Sequence, residues 1–434
     1  MVLLVGFLGW LFDGFEIGLF PLVARPALLS LLPGGGDSQV APWMARITAC
    51  FLLGAALGGV IFGWLGDRLG RVRALALSIL AYSLFTGFSY FAQAPWQLGV
   101  FRFAGALGMG GEWSLGVALV MECWPEKWRP ALAGAIGLAA NAGFLLTGLV
   151  ALVHPVTIDS WRWMFLVGAA PAFLVFFIIL CVPESERWKQ AVRKEVSSPV
   201  REIFAPGLRK TTLLAIIFAS VALIGTWGSV QWLPLWADQL AERESKKQIL
   251  ELSENRDSQA GPRSTIEQTE AEKPIKKAAA TAKTHTQVLL AIGAMIGCLI
   301  APLATIKLGR RPVYFLLCLL SVLLCAFMFH FITEYSGAFL VSAFLVGAAT
   351  AAFYGWFPLY FPEIFPTRVR ATGQGLCYNF GRVFAAAGAL LQGQLVASFG
   401  GSYARAGAVV TLIYLVGMVL IWYAPETKGK PLPE

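Results

Sequence analysis

Charge is scarce in this chain: only 14% of its 434 residues are Asp, Glu, Lys or Arg, while 57% are hydrophobic. A water-soluble domain of that make-up, with a mean hydropathy of +0.68, would precipitate. Histidine is scarcer still, and His154, His285 and His330 are scattered. No Ser/His/Asp set, phosphate-binding loop or metal-ligating group can be read from the sequence, which argues against an enzyme and leaves no cofactor or metal to expect. The seven cysteines (50, 123, 181, 298, 318, 325 and 377) nearly all lie in or beside apolar runs, without a CxxC pair or a Cys/His cluster. They are expected to be free thiols. Alternating short strands are absent, which excludes a barrel. An Asn-x-Ser/Thr acceptor is also absent, which argues against a glycosylated surface protein. The chain opens without a basic segment or a small-residue cleavage site, so its first apolar run reads as a membrane helix and not as a signal peptide.

What the chain does have is long apolar runs. Twelve candidates fall near 2–25, 43–66, 72–93, 97–121, 131–153, 163–182, 211–236, 287–306, 312–332, 337–361, 371–397 and 403–424. Each is long enough to cross a hydrocarbon core of about 30 Å as a helix. The net charge of +9 would suit nucleic acid, but the basic residues sit in short loops between the runs and read as topology signals. Arg68, Arg71, Arg73, Lys127, Arg129, the basic 187–210 stretch, Lys307, Arg310, Arg311, Arg368 and Arg370 fall on one side. The opposite loops near 26–42, 91–96, 154–161 and 333–336 carry no Lys or Arg. Both termini are therefore expected in the cytoplasm of a cell-membrane protein, with the bilayer as partner and no role for nucleic acid. Residues 238–286 break the pattern, being polar and rich in mixed charge. They are expected to form a flexible loop, with one short amphipathic helix around Ile249, Leu250 and Leu252.

The runs belong to two copies of one unit. Glu122-x-x-Pro125-x-x-x-Arg129 returns 241 residues later as Glu363-x-x-Pro366-x-x-x-Arg370. Leu69-Gly70-Arg71 returns as Leu308-Gly309-Arg310, and Pro183-Glu184-Ser185 as Pro425-Glu426-Thr427. Three ordered echoes at nearly constant spacing imply duplication, which in a membrane protein points to a transporter. The expected fold is all-α, with twelve transmembrane helices in two pseudo-symmetric six-helix bundles. Residues 1–182 form the first bundle, 183–210 a cytoplasmic linker, and 211–434 the second bundle with the 238–286 insertion.

Between the second and third runs stands Gly63-x-x-x-Asp67-Arg68-x-Gly70-Arg71-x-Arg73. Asp67 can face the positive N-terminus of a neighbouring helix or one of these arginines. With Glu122, Arg129, Glu363 and Arg370, the loop reads as a cytoplasmic latch that breaks when the halves rock. It resembles the signature loop of the major facilitator superfamily. Arg102-x-x-Gly105-x-x-Gly108-x-Gly110, the doubled Glu/Pro/Arg phrase, Pro183 to Trp188 and Pro425 to Gly429 extend the resemblance along the whole chain, towards its sugar-porter-like branch. The second copy has Ile306 where the first has Asp67, so the latch is expected to be stronger on the N-terminal half.

If the repeated phrases are scaffold, the unrepeated charges inside the runs are the candidates for chemistry. Each charged group at mid-membrane costs at least about 2.5 kcal/mol, so it needs a partner or a water-filled cavity. Asp13 and Glu16 share one face of the first run, with side chains roughly 5 to 6 Å apart, and two carboxylates that close favour protonation of one. Arg102 is the natural counter-charge. In proton symporters of this resemblance, such an arginine pairs with a first-helix acid that by position corresponds to Asp13. Glu112, about 15 Å along the helix from Arg102, must find another partner or be neutral.

Gly110-Gly111-Glu112-Trp113 resembles metabolite and sialate carriers, and Asp13-Gly14-Phe15-Glu16 resembles the Asp-Gly-x-Asp pattern of aromatic-acid carriers. Thr226 to Trp232 lacks the paired glutamines of sugar porters. Arg382, deep in the eleventh run, suits a carboxylate through two parallel hydrogen bonds. Gln231, Trp227, Asn141, Tyr354, Tyr378 and Asn379 are expected to line the site with it. The expected function is proton-coupled symport of a small organic anion by a single chain, with Asp13, Glu16, Arg102 and Glu112 handling the proton. A sugar or polyol symporter, a uniporter and a transporter-like membrane sensor remain open alternatives.

Overall fold

The computed structural model describes residues 1–32, 36–154, 156–194, 198–254 and 265–434, and among these residues there is no strand. In the first half the helices are α1 (Val2–Leu31), α2 (Gly36–Leu69), α3 (Arg71–Phe88), α4 (Pro95–Cys123), α5 (Arg129–Val153) and α6 (Arg162–Cys181). In the second, α7 runs over Pro206–Gly228 and resumes after a 3₁₀ turn as Leu233–Glu254. It is followed by α8 (Thr265–Leu308), α9 (Arg310–Phe331), α10 (Gly337–Ile364), α11 (Arg370–Ser398) and α12 (Tyr403–Tyr423). Two short helices, Glu186–Lys194 and Pro199–Ile203, lie in the linker between the halves.

Eleven of these helices are long and apolar enough to cross a membrane. The remaining one, α11, is 29 residues long and carries Gln374, Asn379 and Arg382 in its interior. Its polarity fits its place facing the opposite half and not lipid alone.

The 238–286 stretch departs from expectation. Where a flexible loop with one short helix around Ile249, Leu250 and Leu252 was predicted, those residues are helical but as part of α7, which continues to Glu254, and α8 already begins at Thr265. Residues 255–264 lie outside the described residues. Composition explains the helices: Glu242 pairs with Lys246 one turn on at 2.6 Å, and the Ala/Lys tract before Lys283 is made of strong helix formers. The hairpin is tied down at its base, where Glu244 accepts from the Tyr335 N–H at 2.9 Å and Trp236 packs on Phe339.

The two halves meet along α2 with α11 and along α5 with α8 and α10. Glycines bring backbone onto backbone there. A Cβ on Gly59 of α2 would lie 2.6 Å from the Gly375 carbonyl oxygen of α11, and one on Gly137 of α5 would lie 2.7 Å from Gly355 Cα of α10. Small residues at such crossings let helices pack without side chains between them. Replacing Gly59 by Leu is expected to wedge this seam apart. Labelling of a cysteine placed at buried Ala371, beside Gly63 on the same seam, should rise about tenfold or more, since about 1.4 kcal/mol shifts a closed state tenfold. Unchanged labelling would mean the seam tolerates the side chain.

Candidate functional site

The three repeated phrases, distant in sequence, converge in space within each half. In the first, Arg71 donates to Asp67 at 2.8 Å and to Glu122 at 3.1 Å, its backbone N–H donates to Glu184 at 2.9 Å, and the Ser185 hydroxyl donates to Glu122. In the second, Arg310 grips Glu363 at 2.9 and 2.6 Å, its N–H donates to Glu426 at 3.0 Å, and Thr427 donates to Glu363 at 2.6 Å. Gly70 and Gly309, with φ of 106° and 90°, make the same left-handed turn ahead of each arginine. Burial raises the proton affinity of Glu426, but N–H donors from Arg310, Arg311, Lys428 and Thr427 outweigh it and hold the carboxyl below its usual range.

Between halves the arrangement is lopsided. Asp67 accepts the Ala371 and Thr372 N–H groups at 3.1 and 2.8 Å, at the N-terminus of α11, so it meets both partners foreseen for it. Gly63 lies against Ala371 beside it. Arg370 crosses to Glu122 at 2.7 Å, and Arg71 to the Thr367 carbonyl at 2.6 Å. The mirror-related Arg129 instead pairs with neighbouring Glu126 at 3.3 Å, and its Nε and Nη2 make no hydrogen bond among the described residues. Ile306, in Asp67's place, is exposed. Arg68 stands outside the network and stacks on Trp64, 4.9 Å from the ring centroid.

The unrepeated charges gather between α1, α4 and α11. Asp13, Glu16, Arg102, Glu112 and Arg382 are all buried, none more than 4% exposed. The partner of Arg102 is Glu16 and not Asp13, which corrects the pairing expected from resemblance. Arg102 donates to the Glu16 carboxylate and, at 3.3 Å, to its backbone carbonyl; Thr86 donates to the same carboxylate at 2.8 Å. Its guanidinium also lies over the Phe51 ring at 4.4 Å. The reason is axial level, since α1 and α4 run antiparallel and Glu16 stands level with Arg102, while Asp13 lies about 4.5 Å further along α1 towards Gly9, the residue that lies against Glu112.

Asp13 and Glu112 act on each other, and Arg382 is the positive charge that acts on Asp13. Two carboxyl groups can share a hydrogen bond only through a proton held by one of them. Gly9 makes the space: a Cβ there would lie 2.5 Å from a Glu112 carboxylate oxygen. Neither carboxyl has a hydrogen-bond partner among the described residues, and Arg382 Nη1 has none either.

An aromatic layer lies against this cluster, in which Tyr354 and Tyr378 were expected and Trp10, Trp113 and Phe361 were not. Tyr378 stacks on Trp113 with centroids 4.0 Å apart and planes at 19°. Trp10, Phe361 and Tyr354 close around the pair at 6.1 to 6.4 Å. Arg382 sits over the Tyr378 ring at 5.5 Å. A signal did exist, because Trp10 is three residues before Asp13, on its face of α1, and Trp113 follows Glu112 directly.

Of the other expected lining residues, Tyr354 and Tyr378 join the cluster. Asn379 instead bridges the halves, its amide donating to the Gly110 and Gly375 carbonyls at 2.9 Å each. Gln231 is exposed in the 3₁₀ turn of α7, Trp227 packs at the edge of a separate apolar group with Ala385 and Ala386, and Asn141 is half-buried on α5.

Comparison with known proteins gives the family. The family description "Sugar (and other) transporter" matches residues 30–211 and "Major Facilitator Superfamily" matches residues 278–434. A putative metabolite transport protein of Haemophilus influenzae is 31% identical, over 98% of this chain and 95% of its own length. The chain belongs to the major facilitator superfamily. A probable 4-methylmuconolactone transporter of Cupriavidus pinatubonensis is 26% identical to this facilitator, over 97% of the chain and 89% of its own length. Among solved structures, a proton:xylose symporter superposes with a TM-score of 0.74 at 18% identity, covering 99% of this chain and 97% of that one, which establishes the shared fold. The facilitator is a multi-pass membrane transporter in the sugar-porter-like group, and not an enzyme.

Proposed function

We propose that this facilitator carries a small, planar organic anion together with a proton, by alternating access across a cell membrane, as a single chain with both ends in the cytoplasm. The observation that carries the reading is the buried trio of Asp13, Glu112 and Arg382 beside stacked aromatic rings. With one proton shared between the carboxyls, the trio is neutral. A substrate carboxylate that takes Arg382 leaves Asp13 without its counter-charge in a low-dielectric site, where an unpaired charge is costly. Taking up a second proton removes that cost, so anion and proton load together. The flat faces of Trp113 and Tyr378 suit a conjugated or ring-bearing acid better than a hydroxyl-rich sugar, which needs many polar partners. The 4-methylmuconolactone transporter named above lends support from a relative.

The resting geometry favours loading from the side opposite the linker, since Asp67, Glu122 and Arg370 hold the linker side shut. Proteoliposomes offered labelled monocarboxylates, aromatic acids, sialate-like sugar acids and neutral sugars, with and without an imposed pH gradient, test the reading. Uptake of carboxylates that the gradient drives uphill is the expected result. Uptake of neutral sugars alone would overturn it.

A further inference from the structure

At the end of the molecule that carries the linker, α7 and α12 leave a groove of about 500 Å³ between them. Leu213, Ile217 and Leu420 line its length, and Arg209, Lys210 and Tyr423 stand at its mouth. A second hollow of about 760 Å³ continues from it through Pro206 and adds Arg68 and Arg201. Among the described residues, no acidic side chain lines either hollow. Glu202, the acid of the neighbouring linker helix, is held by Arg368 at 2.6 Å. The groove wall is open to the surroundings, with Leu213 49% and Tyr423 62% exposed.

We infer that this groove is a binding site for an anionic phospholipid of the leaflet on the linker side. The headgroup phosphate sits against Arg209 and Lys210, an acyl chain lies along Leu213, Ile217 and Leu420, and Tyr423 marks the interface. Three features fit this occupant together. Basic side chains at the head of a membrane helix attract anionic lipid. An aromatic residue with a polar tip settles at headgroup depth. The apolar wall runs from that depth along α7 towards the hydrocarbon. A free phosphate would use only the first feature and a neutral lipid only the last two. The site uses none of the residues of the proposed transport cycle, so the two readings fail independently.

The test is native mass spectrometry of the full chain in detergent, titrated with phosphatidylglycerol, phosphatidylethanolamine or glycerol 3-phosphate. Phosphatidylglycerol is expected to bind best. The Arg209→Gln variant should weaken it about fivefold and the Arg209→Ala/Lys210→Ala pair about thirtyfold, with phosphatidylethanolamine unaffected. Both side chains are exposed, and unchanged thermal unfolding in lipid-free detergent confirms folding. Equal binding of the two lipids, undiminished binding in both variants, or displacement of phosphatidylglycerol by glycerol 3-phosphate would overturn the inference.

Discussion

An Asp13→Asn variant equilibrates substrate by counterflow but does not concentrate it when a pH gradient is imposed. One proton carried with each anion lets a gradient of one pH unit, about 1.4 kcal/mol, sustain an accumulation of at most about tenfold. In the variant that ratio falls to one. Asparagine keeps the size and hydrogen-bonding capacity of Asp13 but has no charge to neutralise, so loading no longer requires a proton. Glu112→Gln tests the same pair from the α4 side. The amide stands in for the protonated carboxyl without emptying the space beside Gly9, and because Asp13 must still take up a proton when the anion takes Arg382, the variant should keep gradient-driven accumulation. If Asp13→Asn concentrated substrate as well as the parent does, the coupling site would lie elsewhere, with the buried Glu16 and Arg102 pair the next place to look.

Arg382→Ala raises the KM for a carboxylate at least about a hundredfold, because two charge-assisted hydrogen bonds of about 1.5 kcal/mol or more each are lost. Arg382→Lys restores part of this, since an ammonium supplies charge but not the paired donors of a guanidinium. A purely structural role would instead lower the amount of active protein and leave the KM of what remains unchanged. The ratio of KM to maximal rate across the two variants therefore separates substrate binding from scaffold. Equal KM values in Arg382→Ala and the parent would remove the anchor from the scheme.

The doubled phrases were the most legible part of the sequence because each half must solve the same turn. Gly70 and Gly309 adopt the same left-handed backbone, and Arg71 and Arg310 each meet a glutamate from the next long helix. The duplicated twelve-helix plan followed from the apolar runs. Less legible was anything that depends on how far one helix slides along another. The choice of Glu16 over Asp13 for Arg102 is a matter of three residues, about 4.5 Å of axial level, which periodicity does not encode. Trp10 and Trp113 were hidden for a related reason, since a single Trp in a membrane helix faces lipid as readily as a partner, and only the assembled bundle brings them to the expected Tyr378. The α7 to α8 hairpin was misjudged because polarity was weighed above the helix propensity of Ala, Glu and Lys.

The glycine seam between α2 and α11 bears on how reproducibly the protein can work. Where Gly59 meets Gly375, there are few side-chain rotamers to melt on opening and to find again on closing. Refastening such a contact carries little of the ordering entropy that long side chains bring, about 1.5 to 2 kcal/mol for each buried Lys, Arg or Met. A joint built largely of backbone, with Asn379 as its polar tie, can therefore refasten with little rearrangement of side chains.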